Sequence, residues 1–155
     1  MQAAPESKRP FDPQQALRLG RETFEIEAAA LAQLGATLTP AFAHAVQAML
    51  SVAGRIVVIG MGKSGHVGRK ITATLASTGS PSIFVHPAEA SHGDLGMVTA
   101  GDLVLAISNS GESSEITAIL PVLRRLGIPL VAITGKPAST LARHADIVLS
   151  CPVAV

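Results

Sequence analysis

Cysteine and aromatic residues are scarce in this sequence, and neither sign of charge is in excess. Its one cysteine, Cys151, excludes an intrachain disulfide and fits a thiol that is kept reduced in the cytoplasm. The 12 basic residues are balanced by 11 acidic ones, which leaves no basic excess to hold nucleic acid. No run reaches the ~20 apolar residues of a membrane span, and residues 1–13 lack the apolar core of a signal peptide. We therefore expect a soluble cytoplasmic protein with neither nucleic acid nor membrane as a partner.

Aliphatic residues are abundant instead. Hydrophobic residues make up 48% of the chain and aromatic residues only 3%, so Ala, Val, Ile and Leu raise the mean hydropathy to +0.42. A length of 155 residues is typical of one compact domain with a full core. We expect buried strands or a subunit interface to cover the apolar excess.

The hydrophobic pattern changes at Gly54. Before it, apolar residues from Leu17 to Leu50 recur at helical spacing, which predicts two helices ahead of a sheet. Thr39 and Pro40 mark the boundary between them, because threonine can cap a helix and proline suits its first position. After Gly54, short apolar runs predict five strands. These runs are Ile56 to Ile59, Ile83 to Val85, Leu103 to Ile107, Leu130 to Ile133 and Ile147 to Leu149.

Helical stretches separate these strands. They are Ser64 to Ser77, Ser113 to Leu126 with a kink expected at Pro121, and a short one at Ser139 to His144. Such alternation predicts right-handed crossovers and a parallel sheet that is covered on both faces. We expect a loose tail over residues 1–12 and one domain over residues 13–155.

The first candidate site is the loop Gly60-Met61-Gly62-Lys63-Ser64-Gly65, which follows a strand and opens a helix. Ligands of parallel sheets bind at the carboxyl ends of the strands. Glycines let backbone N–H groups approach an anion, the helix N-terminus adds positive charge, and Lys63 and Ser64 add donors. The loop is therefore predicted to bind a phosphate or a carboxylate.

The same loop also reads as G-x-G-x-x-G, the dinucleotide fingerprint. That fingerprint needs an acidic residue at the end of the next strand, but His86 and Pro87 stand there and Glu89 comes later. A Walker A loop is excluded because Val57 occupies the position of its first glycine. We therefore favour a sugar phosphate and keep a nicotinamide cofactor as the alternative to test.

The second candidate site is the serine-rich segment from Ser108 to Glu115, within which the next helix starts. Its four hydroxyls, its glycine and the free N–H groups of the helix form a nest for an anion. The alternative is a capping box, in which Ser113 or Ser114 caps the helix and an acid reaches back. Because capping needs only one hydroxyl, phosphate binding is favoured.

Three motifs in order, VVIGMGKSG, HPAEASHGDLG and AISNSGESSE, resemble the SIS family of sugar isomerase domains, and within it the arabinose-5-phosphate isomerases. The resemblance covers about Gly54 to Pro152. It implies a three-layer α/β/α sandwich with a five-stranded parallel sheet of flavodoxin-like order, assembled as a homo-oligomer, a tetramer in the family. It further implies that Ser108, Ser110 and Ser113 hold the substrate phosphate, with Asn109 and Ser64 nearby. The implied catalytic residues are Lys63, His92 and Glu115.

The implied reaction interconverts ribulose 5-phosphate and arabinose 5-phosphate, for lipopolysaccharide biosynthesis. It removes a proton from the carbon beside a carbonyl, forms an enediol and returns the proton one carbon away. A carboxylate can move that proton, a lysine can stabilise the carbonyl oxygen, and His92 is suited to opening the sugar ring near neutral pH. The scheme requires no metal and no cofactor.

Several alternatives stay open. His86, His92 and Asp94 could ligate a metal, although such loose spacing is common by chance. Glu115 could serve only the positive end of its helix. The resemblance implies a further catalytic glutamate, a later histidine and usually two CBS domains beyond the last strand, so a chain that stops at Val155 is expected to be partial. The competing function is a non-catalytic SIS module that senses a phosphosugar.

Overall fold

A sheet of five parallel strands forms the core of the unit that begins at Leu38. The structure is a computed structural model that describes residues 11–90 and 93–152, apart from the side chain of Asp94. The strand order is β2-β1-β3-β4-β5, and each neighbouring pair within these residues is parallel. The five predicted strands are confirmed, each with its ends within one residue of the expected ones. They are β1 (Ile56–Gly60), β2 (Ser82–Val85), β3 (Leu103–Ile107), β4 (Leu130–Thr134) and β5 (Ile147–Ser150).

The helices also follow the predicted order. They are α1 (Pro13–Ala36), α2 (Pro40–Leu50), α3 (Gly62–Ser77), α4 (Pro87–Ala90), α5 (Ser114–Arg125) and α6 (Thr140–His144). Helix α4 and a 3-10 turn at Asp94–Met97 were not predicted, because neither shows a helical hydrophobic period. Thr39 occupies the N-cap position of α2, yet among the described residues its side chain accepts no capping hydrogen bond. Helix α5 continues through Pro121.

The sheet is buried on both faces, as its apolar runs predict. Along each strand, alternate side chains enter two different hydrophobic clusters, so that Val57 and Ile59 lie in one and Ile56 and Val58 in the other. Helices α5 and α6 supply apolar side chains to the first cluster, and α2 and α3 supply them to the second. The predicted three-layer α/β/α architecture is therefore confirmed.

The first helix belongs to a different compact unit. The chain divides between Thr37 and Leu38, and α1 lies in the first unit. Asp12 caps α1 by accepting hydrogen bonds from the N–H groups of Gln14 and Gln15 at 2.9 and 3.2 Å. Apolar side chains of this helix, such as Phe24 and Leu31, are exposed. No helix among the described residues is long and apolar enough to cross a membrane.

One buried charge lies at the amino-terminal edge of the sheet. Asp102 is 2% exposed and accepts hydrogen bonds from Arg55 and Thr99, including an ion pair of 3.1 Å with the Arg55 guanidinium. Burial opposes ionisation of this carboxyl, but the hydrogen bonds from Thr99 and Arg55 outweigh it and hold its pKa below the ordinary value. Arg55 also donates to the Met97 carbonyl, so the pair attaches the segment after β2 to the sheet.

Candidate functional site

The site is positioned by the strand order. Strands β1 and β3 are neighbours, with Gly60 paired to Ile107 at their carboxyl ends. Helix α3, which follows β1, contributes to one hydrophobic cluster, whereas α5, which follows β3, contributes to the other. The two helices therefore leave toward opposite faces, so the ends of β1 and β3 form the topological switch point at which parallel sheets have their ligand crevice. The two predicted anion loops flank this β1–β3 crevice.

The glycine loop, residues 60–65, is shaped mainly by close packing. Helix α3 begins at Gly62, two residues earlier than predicted. A Cβ on Gly60 would lie 2.9 Å from the Ser64 carbonyl group, and one on Gly65 would lie 2.7 Å from the Gly60 oxygen. These two glycines let the helix approach the strand. Gly62 differs, because its φ is +51° and no described atom would lie within 4 Å of an added Cβ.

Lys63 and Ser64 lie in the first turn of α3, beside the crevice. Lys63 is exposed and Ser64 is half-buried. Within the described residues, the Lys63 ammonium makes no ion pair with Glu115 or with another acid. Lys63 therefore remains a candidate to contact a ligand.

The serine loop, residues 108–114, is shaped by its own hydroxyl groups. Ser108 is 6% exposed, and its Oγ accepts a hydrogen bond of 3.1 Å from the Gly111 N–H. The Ser110 Oγ accepts one of 3.2 Å from the Glu112 N–H. A hydroxyl that accepts in this way still has its own proton to donate. Ser108 and Ser110 therefore curve the backbone and retain donors for an anion.

Ser113 and Ser114 act differently, because both donate to the same carboxylate. Their Oγ atoms lie 2.7 and 3.1 Å from Glu115 Oε2. Ser113 occupies the N-cap position of α5, but it accepts no capping hydrogen bond from a described residue. The capping-box alternative is therefore wrong in its geometry.

Glu115 is held in its ionised form. Its own backbone N–H contributes most to lowering the pKa of this carboxyl, followed by the hydroxyls of Ser113 and Ser114. The charge of His86 lowers it further. His86 follows β2 directly, so the carboxyl ends of β2 and β3 bring these two groups near each other. From the sequence, His86 was a candidate only for a metal site, although its place directly after a strand already pointed to this edge.

A third loop, residues 135–139, supports the serine loop together with the end of β4 before it and the start of α6 after it. The Asn109 carbonyl accepts hydrogen bonds from the Gly135 N–H at 3.0 Å and from the Thr134 hydroxyl at 3.3 Å. The Gly111 carbonyl accepts one of 3.0 Å from the Leu141 N–H. The backbone of the serine loop is thereby fixed from outside, by residues that no motif in the sequence marks.

Most of the predicted site residues lie at this one edge of the sheet. Five of them, Ser108, Asn109, Ser110, Ser113 and Glu115, follow β3, and Lys63 and Ser64 follow β1. His92 lies outside the described residues, so its role stays a prediction, and the alternative of a metal site that includes it stays open. Among the residues that the structure describes, no three His, Cys, Asp or Glu side chains are grouped so as to hold a metal ion. The arrangement offers hydroxyl donors, an amine and an ionised carboxylate around one crevice.

Comparison with known proteins agrees with this geometry. A model of the SIS domain matches residues 49–154. The chain is 58% identical over 144 residues to arabinose 5-phosphate isomerase KdsD of Escherichia coli (strain K12), a match that covers 93% of this chain and 43% of that protein. The chain thus spans less than half the length of the curated relatives it matches.

Solved structures have the same fold. A structure of E. coli CFT073 c3406 in complex with A5P superimposes with a TM-score of 0.89 at 41% identity, over 93% of this chain and 77% of that one. The sugar isomerase domain of the RpiR transcription factor from Sphaerobacter thermophilus matches with a TM-score of 0.78 at 26% identity, over 88% of this chain and 77% of that one. The family model covers more than half of the chain, and the fold and motif order agree with it. This chain belongs to the SIS domain family.

Proposed function

We propose that this chain is the phosphosugar-binding part of an aldose–ketose isomerase that interconverts D-arabinose 5-phosphate and D-ribulose 5-phosphate. The observation that carries the proposal is the serine loop at the end of β3, which presents donors directly beside an ionised glutamate. The chain is 58% identical to an arabinose 5-phosphate isomerase, which supports this substrate. Its structural similarity to a protein solved with A5P supports the same substrate.

The serine loop is the proposed phosphate site. The hydroxyls of Ser108 and Ser110 can donate to phosphate oxygens, with Asn109 beside them and Ser64 across the crevice. The Ser114 N–H at the start of α5 has no carbonyl partner within its own helix and adds a backbone donor, whereas the Glu115 N–H is bonded to its own carboxylate. Such donors bind a dianion without any metal ion.

Glu115 is the proposed base, and substrate binding is expected to activate it. A carboxylate that accepts two hydroxyl protons is a weak base. The Ser113 hydroxyl cannot donate to Glu115 and to a phosphate oxygen at once, because it has one proton. Binding of the phosphate through Ser113 would therefore remove one donor from Glu115 and make this carboxylate a stronger base.

Lys63 and His92 complete the proposed chemistry. The Lys63 ammonium, which is exposed in the first turn of α3, is assigned to stabilise negative charge on the sugar carbonyl oxygen as the enediol forms. His92 is assigned to ring opening on the basis of the resemblance alone.

The activity test uses a version that continues beyond Val155 to the full length of the curated relatives. Incubated with ribulose 5-phosphate and followed by NMR, it should produce arabinose 5-phosphate. The 155-residue chain should bind the sugar phosphate but isomerise it far more slowly, because each missing acid or base contributes typically 10²–10⁴-fold. An extended version that binds the phosphosugar without turnover would overturn the isomerase proposal.

That outcome would favour the second candidate, a non-catalytic module that senses a phosphosugar. The similarity to the sugar isomerase domain of a transcription factor supports it. We favour the enzyme because Glu115 lies beside the proposed phosphate site, where a carboxylate would repel a bound phosphate and a binding module has no use for it.

We further propose a homo-oligomer, a tetramer as the family resemblance implies, that serves lipopolysaccharide biosynthesis. Helix α2 exposes Phe42 by 47% and Leu50 by 74%, and such apolar side chains are suited to a subunit interface. Analytical ultracentrifugation tests the assembly, and a monomer at micromolar concentration would contradict it.

A further inference from the structure

We propose that Glu112 is a positioning residue for the phosphate site, because its side chain ties the serine loop to the start of helix α6. This inference rests on the proposed function, in which that loop binds the substrate phosphate. Glu112 itself is exposed and is not assigned a contact with substrate.

The connection is direct. Glu112 Oε1 accepts a hydrogen bond of 2.7 Å from the backbone N–H of Thr140, the first residue of α6. This N–H has no carbonyl partner within its own helix, so a carboxylate is a suitable acceptor for it. The neighbouring Gly111 carbonyl accepts from the Leu141 N–H at 3.0 Å. Two successive residues of the serine loop are thus bonded to two successive residues of α6.

The fit between the two segments is tight. Gly111 has a φ of +64°, and a Cβ there would lie 2.1 Å from the Oγ of Ser139, which is itself 4% exposed. Ser139 caps α6 by accepting from the Ala142 N–H at 3.3 Å. A shift of α6 would therefore move the serine loop with it.

The same bond removes an electrostatic conflict. A carboxylate in a loop that binds a dianion would repel the ligand if it turned toward the crevice. The Thr140 N–H is the main cause that lowers the Glu112 pKa, and the Thr140 hydroxyl and the Arg143 charge lower it further. Glu112 is thereby ionised but directed to α6, where its charge is compensated.

Substitution of Thr140 tests the connection from the donor side. Thr140→Pro removes the N–H, while proline is well tolerated at the first helical position. The preceding Ser139 has the extended backbone, ψ 165°, that a following proline requires. Thr140→Ala is the matched control, since it loses the same hydroxyl and keeps the N–H. Glu112→Ala removes the acceptor, and Glu112→Gln keeps an oxygen that can accept.

Binding of arabinose 5-phosphate to the 155-residue chain is measured by calorimetry. We expect Thr140→Pro and Glu112→Ala each to raise the Kd roughly tenfold through displacement of the donors, and Thr140→Ala to change it less than about twofold. Glu112→Gln should retain most of the affinity. The double variant Glu112→Ala with Thr140→Pro should bind no more weakly than either single variant, because both break one bond.

Wild-type affinity in Glu112→Ala, or effects that add fully in the double variant, would overturn the inference. Should Thr140→Pro not fold, Glu112→Ala and Glu112→Gln still decide it, since Glu112 is exposed. Ser110→Asp separates the two proposals. If it leaves binding unchanged, the phosphate assignment fails and this inference with it. If it weakens binding while Glu112→Ala does not, only the role of Glu112 fails.

Discussion

The glycine loop and the serine loop flank the same crevice, but different forces hold them in shape. The glycine loop depends on the contact between Gly60 and Gly65, and its Lys63 side chain is exposed without an ion pair to any described residue. The serine loop is fixed by hydrogen bonds within itself and to the segment after β4. Fixed donors are suited to a substrate phosphate, which must be held throughout a reaction. The Lys63 amine, without an ion pair to a described residue, is suited to stabilising charge that develops only during the reaction.

The largest expected effect is the loss of turnover when the proposed catalytic residues are replaced. In the version extended beyond Val155, Lys63→Ala, Glu115→Ala and His92→Ala should each lower kcat by about 10²–10⁴-fold and change KM less, because these groups act mainly in the transition state. Steady-state kinetics with arabinose 5-phosphate measures both constants. The control is Lys70→Ala, which removes an exposed lysine from the same helix. A raised KM with unchanged kcat for Lys63→Ala would assign this lysine to binding and remove the contrast between the loops.

The second prediction compares a glycine from each loop. Gly111→Ala should destabilise the fold by about 3 kcal/mol, since a φ of +64° is unfavourable for alanine and the new Cβ would overlap Ser139. Gly62→Ala has a similar φ but no described atom near its Cβ, so only the conformational cost of about 1 kcal/mol is expected. Thermal unfolding measures the difference of about 2 kcal/mol between the two variants. It corresponds to a Tm that is roughly 4–8 °C lower for Gly111→Ala than for Gly62→Ala. Equal melting temperatures would show that the serine loop is not tightly packed against Ser139.

A smaller effect is expected on phosphate binding when Ser110 is replaced. Ser110→Asp places a negative charge in the serine loop and should raise the Kd for arabinose 5-phosphate at least tenfold, about 1.4 kcal/mol. Calorimetry on the 155-residue chain measures it, with Ser110→Ala as the uncharged control. Unchanged binding would mean that the phosphate lies elsewhere in the crevice.

The sequence was sufficient to predict the strands and the edge that carries the site. Strands such as Leu103–Ile107 are buried on both faces, so every residue in them is apolar. Burial itself continues to the polar residues Asp102 and Ser108 on either side of the run. Strands that alternate with helices are parallel, so the loops that follow them lie at the carboxyl edge of the sheet. Residues such as Lys63 and Ser108 are therefore placed at this edge. These predictions depend on short-range pattern and on a general rule of topology.

Individual contacts, whether between distant or neighbouring residues, could not be predicted in the same way. Nothing local in the sequence shows that the Glu112 side chain is bonded to Thr140, 28 positions later, or that Ser113 donates to Glu115 rather than capping its helix. Gly60 and Gly65 looked like an anion cradle because glycine permits both close packing and unusual backbone angles. Only the three-dimensional structure separates these two uses, and it assigns close packing to both.

The smallest effect is expected from nicotinamide nucleotides. NAD and NADP should leave the melting temperature unchanged, although the glycine loop matches the dinucleotide fingerprint. That fingerprint needs an acidic residue after the second strand to hold the ribose hydroxyls, and β2 is followed by His86. Thermal unfolding of the 155-residue chain with either nucleotide measures this, and arabinose 5-phosphate serves as the positive control. A ligand at 100 times its Kd stabilises the fold by about 2.7 kcal/mol, which is easily detected. A saturable shift with either nucleotide would assign the glycine loop to a cofactor, and the two loops would then bind two different molecules instead of two parts of one sugar phosphate.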